Sequence, residues 1–193
     1  RPVGITGGSY GDLLWGEASA FRVLNVDDLA PIHPEVDPVS KKIVVDRTEN
    51  YQTLACYEGS EEVYFCRVST GQYRDEYSNP LPKDSPLLTP LGEHTTWRKS
   101  ISIHMSGGTT GTGYDTPAVS WSTLFSGEGY AIHAAFWHNN FGVPRSHGCV
   151  NCLPEDAKWI FRWATPQNSL TEGDVVSQGL TNGTHVIVQE LTV

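Results

Sequence analysis

Apolar residues in this chain come in short bursts separated by turn formers. Long amphipathic stripes are rare. Ile43-Val44-Val45 is a β-branched run. Thr53 to Tyr57 and Val63 to Val68 flank Glu58-Gly59-Ser60-Glu61, which reads as a hairpin. Centring that turn on Gly59-Ser60 sets Cys56 opposite Val63. The Cys56 and Cys66 side chains would then point to opposite faces, as small buried hydrophobes and not a disulfide. Thr95 to Met105 alternates, with Ile101 and Ile103 on one face. Tyr130-Ala131-Ile132 reads as a buried strand and Thr184 to Val188 as a closing one. A convincing helix begins after Leu153. Pro154 suits its first position, Glu155 and Asp156 its first turn, and Ala157, Ile160, Phe161 and Ala164 recur at helical spacing. Trp159 and Trp163 form a second, packing stripe. One helix among many short strands predicts a mainly β fold, sandwich or barrel-like.

The first forty residues differ from the rest. They end in Pro31-Ile32-His33-Pro34-Glu35-Val36-Asp37-Pro38, where three prolines fix φ and remove donors, so an extended linker is expected. The chain is therefore divided into residues 1–40, the end of a truncated upstream module plus its linker, and residues 41–193, the main domain. Around Leu13 to Val26 the last strands of that module are expected. An upstream domain is expected in the full-length chain.

Composition narrows the function classes. With 193 residues, 38% hydrophobic and 18% charged, the chain is a globular one. Its net charge is -9, and Lys and Arg form no run or stripe. A nucleic-acid partner, which needs a positive footprint, is excluded on that ground, as is docking on an anionic membrane. No stretch approaches the ~20 apolar residues that span a bilayer. The small-residue loop Ser106 to Gly113 lacks the Gly-Lys-Ser/Thr and following helix of a phosphate loop, and reads as a lid or hairpin tip.

Reactive side chains concentrate between His133 and Cys152. The string Ser146-His147-Gly148-Cys149 reads as a tight turn ending in a thiol, with Gly148 allowing the bend. A thiolate is the nucleophile and an imidazole can take its proton, so Cys149 with His133 points to nucleophilic acyl transfer. Consecutive backbone N–H groups at such a turn can form an oxyanion hole. Two rival chemistries use the same residues. His133, His138, His147, Cys149 and Cys152 include plausible zinc ligands, but no second CxxC accompanies Cys149-Val150-Asn151-Cys152. A dithiol redox centre would open a helix in a βαβ context, which is missing here.

The string His133…Ser146-His147-Gly148-Cys149-Val150-Asn151 closely resembles the signature of the L,D-transpeptidases, the YkuD-type domain. Val68-Ser69-Thr70-Gly71, Thr89-Pro90-Leu91-Gly92, Val119-Ser120-Trp121 and the helix carrying Asp156-Ala157 resemble the same family. The resemblance covers about Lys41 to Val188. It implies an L,D-transpeptidase-like β-sandwich or barrel with one helix after the cysteine, no cofactor and no metal. It implies that Cys149 attacks the diaminoacid carbonyl at stem position three of peptidoglycan and expels D-Ala. A second stem's amine, or water, then resolves the thioester. The partners implied are donor and acceptor stem peptides, with carbapenems as possible acylating ligands. The location implied is extracytoplasmic. By position, Cys149 is the nucleophile and His133 the base, with His147 and Gly148 joining Cys149 in the oxyanion hole. Ser146, Asn151, Arg145, Trp137, Tyr114 and His104 would shape or line the substrate cleft.

Overall fold

The computed structural model describes residues 2–6, 13–17, 40–108, 113–168, 173–176 and 182–191. The proline-rich linker at residues 31–38 and the tip of the small-residue loop, residues 109–112, lie outside the described residues. Near the start, β1 (Pro2–Thr6) and β2 (Leu13–Glu17) form an antiparallel hairpin.

The main body is two five-stranded mixed sheets among the described residues. The first has the order β5-β4-β3-β12-β6, from β3 (Lys41–Asp46), β4 (Thr53–Glu58), β5 (Glu61–Arg67), β6 (Gly92–Thr95) and β12 (His185–Gln189). The second has the order β10-β9-β8-β7-β11, from β7 (Arg98–Gly107), β8 (Tyr114–Leu124), β9 (Ala131–Ala134), β10 (Val150–Cys152) and β11 (Asp174–Val176). Inward residues of both sheets share one core: Ile43, Val45, Leu54 and Val186 from the first, Ile132 and Val150 from the second. The helix α1 (Pro154–Trp163) packs on β8 and β9 and adds Ala157, Ile160 and Trp163 to that core. It starts at the expected proline.

Two pairings differ from the sequence reading. The hairpin turn lies at Gly59-Ser60 as expected, but a β-bulge follows it. Tyr57 pairs with Glu62 while Cys56 pairs with Tyr64, so Val63 is the extra residue. One slipped residue reverses the facing of everything beyond it. Leu54 pairs with Cys66, so Cys56 and Cys66 share a face and both enter the core. There they meet Cys152, and all three are free thiols. The C-terminal strand does not close an edge. β12 inserts between β3, which it parallels, and β6.

Two buried lysines, Lys41 of β3 and Lys99 of β7, meet the end of α1. Lys41 Nζ donates to Trp163 O at 2.9 Å and Lys99 Nζ to Ala164 O at 2.7 Å. The ammonium groups lie over the rings of Trp163 and Phe161, 5.1 and 4.5 Å from their centroids. Carbonyls at a helix C-terminus lack intrahelical partners and carry the negative end of the dipole, so cations there cap it. Burial nevertheless lowers both pKa values, Lys99 well below the usual range, with Lys41 adding repulsion. The unfolded chain therefore holds the Lys99 proton more tightly than the fold does, and stability tied to this group rises as pH rises toward 10.5. Urea unfolding of Lys99→Met should show a flatter pH dependence than wild type between pH 7 and 10. Parallel curves would contradict this account.

Candidate active site

The turn that carries Cys149 is held by a neighbouring segment, Ser69 to Gln72. Ser69 and Asn151 exchange backbone hydrogen bonds of 2.9 and 2.8 Å. Gly71 and Ser146 form a parallel bridge, and Gln72 N–H donates to Ser146 O at 3.1 Å. Thr89 connects the two segments from the side. Its hydroxyl accepts from Gly71 N–H at 2.9 Å and donates to Gly148 O at 2.7 Å. Approach this close needs a glycine at 71, because a Cβ there would stand 2.1 Å from Leu87 O. Gly148 has φ +117°, and a Cβ would stand 2.4 Å from the Tyr130 ring.

Ser146 completes the turn. Its Oγ accepts from Gly148 N–H at 3.0 Å and donates to Cys149 O. The Gly148 N–H, one of the three oxyanion donors that the resemblance implies, is thereby engaged by Ser146. The N–H groups of His147 and Cys149 have no acceptor among the described residues.

Cys149 precedes β10, which runs parallel to β9 with Val150 opposite Ile132 and Asn151 opposite His133. Alternation sends Val150 into the core and turns Cys149 and Asn151 to the other face. There they join His133 in one cavity of about 130 Å³. Ser146, His147, Arg145, Trp137 and Tyr114 line the same cavity, as do Met105, Thr116 and Val119, to which the sequence reading gave no individual place in the cleft. Met105 was findable: it continues the inward alternation of Ile101 and Ile103. His104, one residue before it, does not line the cavity and instead pairs with Asp115 on the β7–β8 hairpin.

The outer wall is aromatic. The Tyr114 and His147 rings lie 5.0 Å apart, and the Trp137 ring lies 5.8 Å from His133. Arg145 is exposed at the rim, where the Asn140 amide oxygen, turned toward it, accepts from Nε at 3.3 Å.

The electrostatics favour neutral partners. Burial pushes the Cys149 thiol up to about 11, moderated by the Ala131 N–H that faces the sulfur. Burial also lowers His133 to about 4, with a hydrogen bond to Ala134 O opposing the shift. That bond, 2.9 Å from Nδ1, puts the ring proton on Nδ1 and leaves Nε2 as a free base. A neutral thiol thus shares its cavity with a neutral imidazole that can accept a proton. No group of three or more His, Cys, Asp or Glu among the described residues could hold a metal. Cys152, with its side chain in the core, is separated from this cavity.

Residues 40–188 match the family model of the L,D-transpeptidase catalytic domain, YkuD. No curated protein matches the chain. Solved structures are similar in fold. An L,D-transpeptidase from Mycobacterium smegmatis aligns with TM-score 0.54 and 22% identity, over 78% of this chain and 58% of that one. L,D-transpeptidase 3 from Mycobacterium tuberculosis, in complex with a faropenem-derived adduct, aligns with TM-score 0.54 and 22% identity, over 78% and 60%. The catalytic domain of the E. faecium L,D-transpeptidase gives TM-score 0.54 and 21% identity, over 81% and 99%. The chain spans about three fifths of the length of the two mycobacterial proteins.

His133 also links the site to stability. Its folded pKa of about 4 lies below the ordinary 6.5, so the unfolded chain takes the proton first. The contribution is fully present above pH 6.5 and is lost as pH falls toward 4. Between pH 7 and pH 4, wild type should lose about 3 kcal/mol relative to His133→Gln, read from urea unfolding at both pH values. An equal loss in both proteins would show that His133 is not buried as a neutral ring.

Proposed function

The chain belongs to the L,D-transpeptidase catalytic-domain family, and from that membership we propose that it is a cysteine-dependent peptidoglycan L,D-transpeptidase. The observation that carries the reading is the cavity in which the Cys149 thiol and a His133 ring with a free Nε2 are brought to one face by the β9–β10 register.

The reaction is written from these groups. The sulfur attacks the diaminoacid carbonyl at stem position three, and its proton passes to His133 Nε2 as the S–C bond forms. Because the resting thiol is neutral, proton loss and attack belong together. The oxyanion forms against the N–H groups of His147 and Cys149, donors already fixed before substrate arrives. Collapse breaks the C–N bond to the terminal D-Ala, whose amine takes the proton from His133. The amine of a second stem attacks the thioester, gives its proton to His133 and restores the thiol, leaving a 3→3 cross-link. Water in place of the amine gives carboxypeptidase activity.

The groups around the thiol suit a peptide. Arg145 at the rim can pair a carboxylate bidentately. Trp137, 45% exposed, offers a flat wall to the chain. Such a substrate places the enzyme outside the cytoplasm, in the periplasm, the wall or the medium.

The test is incubation with a stem tetrapeptide ending in D-Ala, followed by mass spectrometry. D-Ala release and a covalent peptide dimer are expected, both abolished in Cys149→Ala with an unchanged thermal unfolding midpoint. D-Ala release without dimer would make water the acceptor. Peptide binding with no release would overturn catalysis in favour of a wall-binding module.

A further inference from the structure

His138 lies in the loop after β9, half-buried, its ring 4.7 Å from that of Phe141. Both ring nitrogens are engaged. Nδ1 is 3.3 Å from the backbone N of Asn140, and Nε2 is 3.0 Å from the side-chain amide of Asn151. A backbone N–H can only donate, so Nδ1 is the acceptor. Burial and the nearby Arg145 hold His138 below its usual range, which keeps the ring neutral near pH 7. A neutral ring that accepts at Nδ1 carries its proton on Nε2.

That proton decides how Asn151 stands. An Nε2–H requires an oxygen opposite it, so Asn151 presents Oδ1 to the histidine and not Nδ2. The two amide atoms are distinguishable only by their partners, and here the histidine assigns them. The other amide atom of Asn151 is buried and has no protein partner. With the amide so turned, that atom is the NH2 group. Leaving such a donor unpaired in a protein wall is unfavourable, because its lost hydration is not replaced. Asn151 is 2% exposed, lines the cavity, and shares its sheet face with Cys149 and His133.

We propose that His138 is a positioning residue: its Nε2–H holds Asn151 Oδ1, so that the Asn151 NH2 group serves the catalytic cavity as an uncharged donor to an acceptor oxygen of the substrate, a peptide carbonyl or carboxylate. The substrate class rests on the transpeptidase reading. The orientation of the amide does not.

Two measurements test this. Long-range 1H–15N correlation spectra of wild type with 15N-labelled histidine should show His138 as the Nε2–H tautomer. The rate of Cys149 acylation by the β-lactam faropenem, followed by intact mass, supplies the functional arm. His138→Leu and Asn151→Asp should each slow it about tenfold, the scale of one lost hydrogen bond. His138→Gln, which keeps an N–H donor, should stay within about threefold of wild type by the same scale. The double variant His138→Leu/Asn151→Asp should be no slower than either single one. A His138 in the Nδ1–H form, or His138→Leu reacting as fast as wild type, would overturn the proposal. If wild type itself does not react, the transpeptidase reading is what fails. The tautomer then decides the orientation alone, Nε2–H supporting it and Nδ1–H overturning it.

Discussion

The peptide unit between Gly148 and Cys149 is the constraint on which the rest of the site depends. Thr89 Oγ1 holds the Gly148 carbonyl, and Ser146 Oγ takes the Gly148 N–H. With both groups of Gly148 fixed, the orientation of the next N–H and of the thiol follows. Tyr130 and Pro86 fill the space a side chain at 148 would need, so the bend accepts only glycine. Thr89 in turn stands where it does because Gly71 lets its segment approach closely. The two-sheet body exists, from the viewpoint of the site, to bring Ser69 to Gln72, Thr89 and the Cys149 turn to one place.

Burial then sets the chemistry. The thiol is pushed up and the imidazole down, by desolvation in both cases. A preformed thiolate–imidazolium pair would bury two charges, which this cavity does not favour. The resting pair is neutral, and in the proposed reaction charge develops only as the sulfur meets an acyl group. The donors assigned to that charge in the proposed reaction are backbone groups that need no reorganisation.

Much of this was legible in the sequence. Local signals did best. Pro154 and the spacing of Ala157, Ile160 and Phe161 located α1 to its first residue, because a helix is determined by neighbours in the chain. The turn at Gly59-Ser60 was equally plain. Ser146-His147-Gly148-Cys149 with His133 upstream pointed to the cavity, which His133, Ser146, His147 and Cys149 line. What failed was long-range or depended on one residue. The bulge at Val63 has no local signature, yet it moved Cys66 to the face of Cys56. The insertion of β12 between β3 and β6 is set by pairing across 143 residues of chain to β3 and 90 or more to β6, which no short window contains. Lys41 and Lys99 were given no role from sequence, because nothing nearby in the chain announces the helix end they cap. His104 was expected in the cleft, but the strand period gives that place to Met105.

The central claim is that Cys149 is the accessible, His133-activated nucleophile of this fold. Intact-protein mass spectrometry after incubation with faropenem, followed by peptide mapping, tests it most directly. The account predicts a single adduct on Cys149, absent from Cys149→Ala and much slower to form in His133→Gln. An adduct on Cys56, Cys66 or Cys152, or none at all with Cys149 shown to be reduced, would contradict it.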